Sequence, residues 1–321
     1  MKAISLFMDV EDPVNPLADD AAKDFAELFT AAGVKGSFCL TGEKCRTLTA
    51  RGRQDVAAAY LPHSLGLHTN THSFHPSTME LLADLEWEEG CRAAIQAERP
   101  GMDAFTNLIG RPPEFWGGGG NTWSPEITEA LKQIGIPAYS YALTEFADHA
   151  PHRFNGVVGL PQALSISELD WQDDDRAAPA VERVLREIEE SAQPWLGIFV
   201  GHPTKFRYKH WWDIPYYAGR TPPTPEYGEP VADEVYEAGK QNLTSFLAIV
   251  SKRYDVVGIS EALTRLNPFR EPTLLELNEF KARTAKNLRS AIHWPIHRPG
   301  LSPELIVSKT LALAGTAQIA G

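Results

Sequence analysis

The amino-acid sequence predicts an α/β fold, a distorted (β/α) barrel of about seven parallel strands. Short apolar runs alternate with amphipathic helical segments along most of the chain, a pattern that is typical of a mostly parallel sheet. The chain has 321 residues, a length at which α/β barrels commonly form one domain. Polar side chains follow several of the strands directly, as they do at the active-site rim of a barrel. The irregular segment lengths argue against an ideal eightfold barrel.

The individual elements follow from periodicity and from helix-end signals. Strands are predicted at 3–8, Lys35–Leu40, Ser64–His68, Glu114–Gly117, Ala138–Tyr141, Val157–Leu160, Trp195–Val200 and Asp255–Ile259. Helices are predicted at Asp19–Ala32, within Met79–Ile109 (one or two), from Ser124 onwards, and at Ala178–Ser191 and Glu237–Lys252. Gly33 is expected to end the first helix, because glycine tolerates positive φ. Ser124 followed by Pro125 is a typical helix start.

Two regions depart from this alternation. Pro203–Asp233 is rich in proline, glycine and aromatic residues and has no clear periodicity. Beyond about Asn267 the sequence has helical patterning, a basic cluster and an Ala/Leu-rich tail. The predicted division is therefore a barrel at 1–266 and a C-terminal helical extension at 267–321 that packs on the barrel or on a partner subunit. A solvated helix with a loose tail is an equal alternative.

Charge and composition exclude several classes of function. The net charge of −12 disfavours nucleic acid as a partner, because its backbone attracts basic surfaces. The three cysteines are widely spaced and indicate neither a disulfide framework nor a zinc knuckle. The apolar start of the chain is too short for a signal peptide, and no run approaches the ~20 residues that span a bilayer. The expectation is a cytoplasmic protein without a membrane partner.

Residues of types that active sites use follow four of the predicted strands. Asp9-Val10-Glu11-Asp12 follows the first strand, and His68 and His72 follow the third. A glycine run at 117–120 follows the fourth, and His202 follows the strand that ends at Val200. Two histidines four residues apart point to the same side of a helical turn or an extended segment and are good ligands for a first-row metal.

Each motif alone has a structural alternative. An acidic cluster before a proline is often a solvated turn, the histidine pair could lie in a polar loop, and a single histidine after a strand is often structural. Because all parallel strands of a barrel end at one rim, these residues are expected to converge, and the convergence favours catalysis.

With these residues in place, the chain resembles the polysaccharide deacetylases of carbohydrate esterase family 4, the NodB-homology group. Those enzymes carry an acidic pair after the first strand, a His-Ser/Thr-x-x-His motif, an aromatic and proline loop, an Asp-Trp element and a late Leu-x-His. The matching segments are Met8–Asp12, His68–His72, Phe115–Gly118, Leu169–Trp171 and Val200–His202. The resemblance covers roughly residues 3–265 and implies a NodB-like barrel.

The resemblance also implies a metal site. His68 and His72, with one carboxylate of Glu11 or Asp12, would bind one divalent metal ion. Zinc is the first expectation, with cobalt, manganese or nickel as alternatives. Asp12 is preferred as the ligand because more backbone separates its side chain from Asp9, and Glu11 remains the alternative.

The remaining roles follow from the same resemblance. Asp9 would be the general base that activates water, His202 would protonate the departing amine, and Asp170 would orient or support His202. Trp116 and Trp171 would shape the acyl pocket. The other predicted substrate-binding residues are Gly117, beside Trp116, and three tryptophans whose aromatic faces can stack on sugar rings. The three are Trp123, Trp211 and Trp212.

The match departs from the family pattern in two places. The acids are spread as Asp-Val-Glu-Asp instead of lying side by side, and Trp116 occupies the position of a loop arginine that orients the base, with Arg111 five residues earlier. Base activation is therefore arranged differently, or the chemistry is not standard deacetylation. His75 is expected to cap a turn, and His149 and His152 are placed in a loop without a supporting strand, so none of the three is expected to be a ligand.

The predicted function is metal-dependent hydrolysis of an N-acetyl or related acyl group from an amino sugar or polysaccharide. One alternative is a cyclic-amide or ureide hydrolase on the same fold, with or without a metal. Another is a carbohydrate-binding pseudoenzyme. The expected partner is a small-molecule or glycan substrate, with homo-oligomerisation left open.

Overall fold

The structure, a computed structural model, describes residues 3–82, 85–119, 124–141, 151–165, 196–217 and 227–265, with 182, 186 and 190 as isolated positions. The strands are β1 Ala3–Val10, β2 Ser37–Leu40, β3 Ser64–Leu67, β4 Phe115–Gly117, β5 Ala138–Tyr141, β6 His152–Phe154, β7 Val157–Ser165, β8 Leu196–Gly201 and β9 Asp255–Val256. The helices are α1 Leu17–Ala31, α2 Gly42–Ala50, α3 Gln54–Tyr60, α4 Thr78–Leu82, α5 Trp87–Ile109, α6 Pro125–Ile134, α7 Pro203–Arg207, α8 Asp213–Tyr217, α9 Asp233–Arg253 and α10 Ile259–Arg265. Among these helices, none combines the length and the apolar character that crossing a membrane requires.

Seven parallel strands form the central sheet of the described part of the chain. Their pairings run β2–β3–β4–β5–β7–β8–β1, and β1 also pairs with β2, so that the order returns to its start. β9 lies parallel to β1 at Ala3 and Ile4, beyond the stretch of β1 that contacts β2. β6 pairs antiparallel with β7. The predicted distorted barrel of about seven parallel strands is confirmed.

Alternation along the strands separates two apolar layers. One set of β1 side chains packs with the helices, and it comprises Ile4, Leu6, Met8 and Val10. The other face of β1 points into the barrel, where Phe7 meets Phe115 of β4 with ring centroids 5.3 Å apart. Ser5 and Ser37 join their hydroxyl groups at 3.1 Å on the same face. Asp9, two residues beyond Phe7, therefore faces inward at the end of the strand.

Helix boundaries agree with most of the predicted signals. α1 ends at Ala31 and is followed by Gly33 at φ +66°, the left-handed conformation that glycine tolerates best. Ser124 has extended backbone angles at the N-cap position of α6, but its side chain makes no cap hydrogen bond. The Met79–Ile109 region contains two helices, α4 and α5.

Several elements were not predicted. α2 and α3 occupy 42–60, α7 and α8 lie inside the aromatic 203–233 region, and β6 precedes β7. The strand predicted at Asp255–Ile259 is only Asp255–Val256, because α10 begins at Ile259. Of the helix predicted at Ala178–Ser191 the structure describes only positions 182, 186 and 190, which are helical. The extension at 267–321 lies outside the described residues, so the two-part division of the chain stays a prediction.

A buried ion pair fixes the loop that follows β1. Lys44 of α2 and Asp19 of α1 have side chains that are 1% exposed. The Lys44 ammonium donates to Asp19 Oδ1 at 2.5 Å and to the backbone oxygen of Asp12 at 2.6 Å. Arg51 bridges Asp19 Oδ2 and the backbone oxygen of Val14. The loop is thus attached to two helices, which holds the residues just beyond β1 in place.

We expect Asp19→Asn to lower the free energy of unfolding by about 3 kcal/mol, because the buried Lys44 ammonium would lose its anionic partner. Urea denaturation at neutral pH measures the change. Glu27→Gln is the matched control on the same helix: Glu27 pairs with Lys23 at 3.2 Å on the surface, where such a pair contributes about 0–1 kcal/mol. Equal losses in the two variants would contradict the role given to the buried pair.

Candidate metal centre

Three strand ends, those of β1, β3 and β8, meet at one rim of the barrel. Asp9 is the penultimate residue of β1, and Glu11 is the first residue beyond that strand. His68 follows β3 directly, and His202 follows β8 directly. Because β1 pairs with β8 and with β2, which in turn pairs with β3, these carboxyl ends are neighbours. The predicted convergence is present in the structure, and His72 joins it from the loop after β3.

Glu11 lies at the centre of the cluster. Its Oε2 atom is 2.8 Å from His72 Nε2, 3.4 Å from His68 Nε2 and 3.9 Å from His202 Nε2. Glu11, His68 and His72 each offer one ligand atom, and the three atoms lie within 4.8 Å of one another. Three imidazole nitrogens therefore converge on one carboxylate oxygen.

Asp9 lies between two imidazoles. Its Oδ2 atom is 3.3 Å from His202 Nε2, and its Oδ1 atom is 3.5 Å from His68 Nδ1. Asp9 Oδ1 and both ring nitrogens of His68 are buried and have no hydrogen-bond partner among the described residues. Buried polar atoms without partners are uncommon and costly.

The chemistry of this donor set fits a divalent cation. Imidazole nitrogen and carboxylate oxygen are ligands that zinc takes in hydrolases, with two histidines and one glutamate as one of the known sets. Glu11, His68 and His72 supply that set, and a cation there would satisfy the unpaired His68 Nε2. Asp9, Cys39 and His68 form an adjoining group within 4.8 Å.

Mutual charge shifts the ionisation of the cluster. Burial alone would raise the pKa of Glu11, but the charges of His72 and His202 and the contacts with His68 and His72 outweigh it and hold that pKa well below its usual range. Burial would lower the pKa of His72 and of His202, yet the nearby Glu11 carboxylate outweighs burial and raises both pKa values. Asp9 adds to the effect on both rings. The cluster favours an ionised Glu11 beside protonated His72 and His202 when no cation is bound.

Glycines allow the chain after β4 to approach the imidazoles closely. A Cβ atom at Gly117 would lie 2.8 Å from both Cys39 Sγ and His68 Nδ1, and one at Gly119 would lie 2.7 Å from His72 Cδ2. Glycine at 117 and 119 is therefore explained by steric contact with the two histidines.

The structure places Asp12 away from the imidazoles. Its Oδ1 atom accepts the backbone N–H groups of Val14 and Asn15, and its Oδ2 atom accepts the Asn15 amide and the Thr204 hydroxyl. Burial raises the pKa of Asp12, and the charge of Lys44 with these hydrogen bonds offsets only part of that effect. Of the two carboxylates that the sequence left open, Glu11 and not the preferred Asp12 lies beside the histidines, because Asp12 turns back to close its own loop.

The predicted aromatic residues fall in different places. Trp116 is fully buried in the helix-side layer and donates its Nε1–H to Glu98 Oε2 at 3.1 Å, so its ring lies behind the site. Trp211 packs edge-on against His202 with centroids 4.6 Å apart. Trp212 is 1% exposed and lies 6.1 Å from the His72 ring. Trp123, Asp170 and Trp171 lie outside the described residues.

The histidines that were set aside lie apart from the cluster. His75 Nδ1 is 2.7 Å from Glu80 Oε2, in the turn that precedes α4. His152 is the first residue of β6, and its Nε2 lies 3.3 Å from the Tyr139 hydroxyl, so the prediction that it lacks a strand is wrong. His149 lies outside the described residues.

Three residues near the site were not identified from the sequence. Cys39 of β2 faces inward beside Asp9 and His68, Thr204 of α7 holds Asp12, and the charge of Asp213 acts on His72. Inward alternation from β1 to β2 would have placed Cys39 at the rim. The other two depend on the path of the 203–217 segment, which has no periodicity to interpret.

Comparison with known proteins gives a clear result for the fold. No family model matches the chain. A putative polysaccharide deacetylase from Mycobacterium smegmatis is similar in structure with a TM-score of 0.54 and 15% identity, over 85% of this chain and 93% of that one. A 4-alpha-glucanotransferase from Thermococcus litoralis is similar with a TM-score of 0.57 and 12% identity, over 94% of this chain and 48% of that one. The predicted resemblance to polysaccharide deacetylases is confirmed for the fold.

Among curated proteins, the chaperone modulatory protein CbpM of Salmonella newport is 41% identical over 66 residues. That segment is 19% of this chain and 65% of CbpM. The chain spans less than two thirds of the length of this relative, and a match to a fifth of the chain does not describe the barrel.

We expect Glu11→Gln to lower the affinity for zinc by more than the about 10–100-fold that is usual when a residue only orients a ligand, because Glu11 supplies the only carboxylate of the donor group. Asp12→Asn should retain zinc. Elemental analysis and chelator competition measure both, with His68→Ala/His72→Ala as the variant without ligands. Loss of zinc from Asp12→Asn with retention in Glu11→Gln would reverse the assignment.

Proposed function

We propose that the protein is a metal-dependent hydrolase that cleaves a C–N bond, removing an N-acetyl or related acyl group from an amino sugar or polysaccharide. The observation that carries this proposal is the Asp9–His202 pair, 3.3 Å apart, directly beside the Glu11, His68 and His72 donor group. A base, an acid and a ligand set are the parts that amide hydrolysis needs at one place.

Glu11, His68 and His72 would hold the metal ion. Zinc suits two imidazoles and a carboxylate best, and cobalt, manganese and nickel are alternatives with similar ligand preferences. A divalent cation at this position supplies a lowered pKa for water and polarisation of the acyl carbonyl. His72 is fixed for this role by the contact between its Nδ1 atom and the Ser73 hydroxyl at 2.7 Å.

Asp9 and His202 divide the proton transfers. Asp9 would accept the proton of the attacking water. His202 is protonated, a state that the Glu11 and Asp9 carboxylates favour, and its Nε2–H is delivered to the departing amine. Protonation is required because an amine anion is a poor leaving group.

The 203–217 segment would form one wall of the substrate site. The Trp211 ring stands against His202, and Lys205 lies 5.0 Å from the same ring. An aromatic face next to the acid suits a sugar ring, whose C–H face stacks on indole. Trp212 packs between His72 and Phe74 and supports this wall from within.

The two other candidate functions use the same residues. A cyclic-amide hydrolase would keep the ligand group and differ in the substrate, while its metal-free version leaves the buried atoms of His68 unexplained. A carbohydrate-binding pseudoenzyme does not need a carboxylate and an imidazole 3.3 Å apart beside a ligand group. A glycan or small-molecule partner, homo-oligomerisation and the cytoplasmic location remain predictions.

We expect Asp9→Asn to abolish turnover of an N-acetylated amino sugar while the metal content stays at the wild-type level, since Asp9 acts on water and Glu11 holds the metal. Hydrolysis is followed by release of acetate, and metal by elemental analysis of the same sample. Loss of the metal would make Asp9 a ligand. Full activity would remove it from the mechanism.

We expect His202→Ala to slow hydrolysis of an alkyl amide by about 10²-fold or more, because protonation of the amine is lost. An anilide with the same acyl group serves as the comparison, since its amine leaves more readily and depends less on an acid. A similar loss for both substrates would show that His202 serves binding or structure. An unchanged rate for both would exclude it as the acid.

A further inference from the structure

The 211–217 segment, which contains α8, packs against the loop that carries His72. The centroid of the Trp212 ring lies 6.1 Å from that of His72 and 5.1 Å from that of Phe74. Tyr216 packs edge-on against Phe74, with centroids 5.3 Å apart. Aromatic residues from a distant part of the sequence therefore lie along the loop that presents one of the candidate metal ligands.

Tyr217, the last residue of α8, adds a hydrogen bond to this contact. Its hydroxyl donates to the backbone oxygen of Ser73 at 2.8 Å, between residues 144 positions apart in sequence. Its ring packs edge-on against His75, with centroids 5.1 Å apart. Burial raises the pKa of Tyr217 to about 12, so the hydroxyl keeps the proton that it donates at physiological pH. The peptide group between Ser73 and Phe74 is thereby held from α8.

Ser73 in turn contacts the ring of His72. Its hydroxyl oxygen lies 2.7 Å from His72 Nδ1, and the other ring nitrogen, Nε2, lies 2.8 Å from Glu11 Oε2. A histidine that binds a metal ion through Nε2 carries its proton on Nδ1, and the acceptor of that proton fixes both the tautomer and the direction of the ring. Ser73 Oγ is in place to be that acceptor.

The backbone at His72 needs support from its surroundings. His72 has φ 50°, a left-handed conformation that is costly for residues other than glycine and persists only where neighbouring contacts fix the chain. The backbone N–H of His72 donates to Thr69 Oγ1 at 2.9 Å, which holds the residue from the N-terminal side. The Tyr217–Ser73 hydrogen bond holds it from the C-terminal side.

We propose that Tyr217 is a positioning residue that holds the Ser73 peptide, keeps the Ser73 hydroxyl at His72 Nδ1 and so directs His72 Nε2 toward the metal position. This inference rests on the metal site proposed above. Trp211, in the same segment, packs against His202. One segment therefore contacts the candidate acid at its start and supports a candidate metal ligand at its end.

The test compares Tyr217→Phe with Tyr216→Phe and Ser73→Ala. Tyr217→Phe removes the donor and keeps the ring. Tyr216→Phe is the matched control on the same helix, because its hydroxyl has no hydrogen-bond partner among the described residues and its ring contacts with Phe74 and Trp212 are kept. Three quantities are measured for each protein: zinc affinity by chelator competition, hydrogen exchange of the Phe74 amide without metal, and the free energy of unfolding in urea.

We expect Ser73→Ala to weaken zinc binding by about 10–100-fold, the usual effect of removing a partner that orients a ligand. Tyr217→Phe removes one hydrogen bond a step further from the metal position and should weaken zinc binding by about 3–10-fold. Tyr216→Phe should stay within about twofold of the wild type.

The Phe74 amide reports on the peptide that Tyr217 holds. It donates to the backbone oxygen of Thr71 at 3.0 Å and belongs to the same peptide group as the Ser73 oxygen. Tyr217→Phe should speed exchange of this amide by about 3–10-fold in the metal-free protein, and Tyr216→Phe should leave it unchanged.

The double variant Ser73→Ala/Tyr217→Phe shows whether Tyr217 acts through Ser73. If it does, adding Tyr217→Phe to Ser73→Ala changes the zinc affinity by no more than about twofold, because the effects of coupled residues do not add. Additive losses would overturn the inference, as would wild-type zinc affinity in Tyr217→Phe with only its stability lowered, or an equal loss of affinity in Tyr216→Phe.

A wild-type protein that takes up no zinc would instead overturn the proposed metal site. Exchange of the Phe74 amide in the metal-free variants would still show whether Tyr217 holds the loop, so the two failures are distinguishable.

Discussion

The buried negative charge of Glu11 is the constraint on which the rim of this barrel depends. A carboxylate removed from water needs compensation, and here His72 and His202 supply it, with His72 Nε2 at 2.8 Å, while His68 Nε2 lies 3.4 Å away. Those imidazoles come from the ends of β3 and β8 and from the loop between β3 and α4. The parallel pairing of β1 with β2 and β8 brings these imidazoles within reach of Glu11. The electrostatics of the site therefore depend on the order of the strands in the sheet.

Hydrogen bonds from neighbouring helices fix the polar loops that flank the cluster. Lys44 and Asp19 hold the loop after β1, and Asp12 closes that loop on Asn15 and Thr204. The backbone N–H groups of Gly42 and Glu43 donate to the backbone oxygens of Thr69 and Asn70 and so attach the loop after β3 to α2. In the loop after β1, buried charged side chains bind backbone and side-chain groups next to the site residue Glu11. Such groups cost stability when they lose a partner, and this cost keeps the loops from adopting alternatives.

Sequence reasoning located the site through strand ends, because the residues after each apolar run are the ones that a parallel barrel collects at its rim. It preferred Asp12 to Glu11 as the ligand, whereas the structure places Glu11 beside the histidines. The position of Asp12 depends on hydrogen bonds from Asn15 and Thr204, the latter 192 residues away in sequence. Trp116 was assigned to the pocket from the resemblance alone. Successive side chains of a strand point to opposite faces, so Trp116 points to the helix side of β4 while Phe115 points into the barrel. The same alternation along the sequence of β4 would have predicted this. α2 and α3 were missed because they are short, with 9 and 7 residues, and such segments are too short to show a clear helical period.

The position of Asp9 accounts for the missing arginine of the family pattern. Trp116 stands where that arginine is expected, and its indole N–H is directed to Glu98, so it cannot orient the base. Asp9 instead lies between His68 and His202, at 3.5 Å and 3.3 Å. A base and an acid that act in one reaction must be in opposite ionisation states at the same pH. The Glu11 and Asp9 carboxylates raise the pKa of His202 against the effect of burial, which favours a proton on the imidazole. In the proposed mechanism, imidazoles would therefore take the place of the guanidinium beside the base, and the Asp9–His202 contact would also favour the protonated form of the acid.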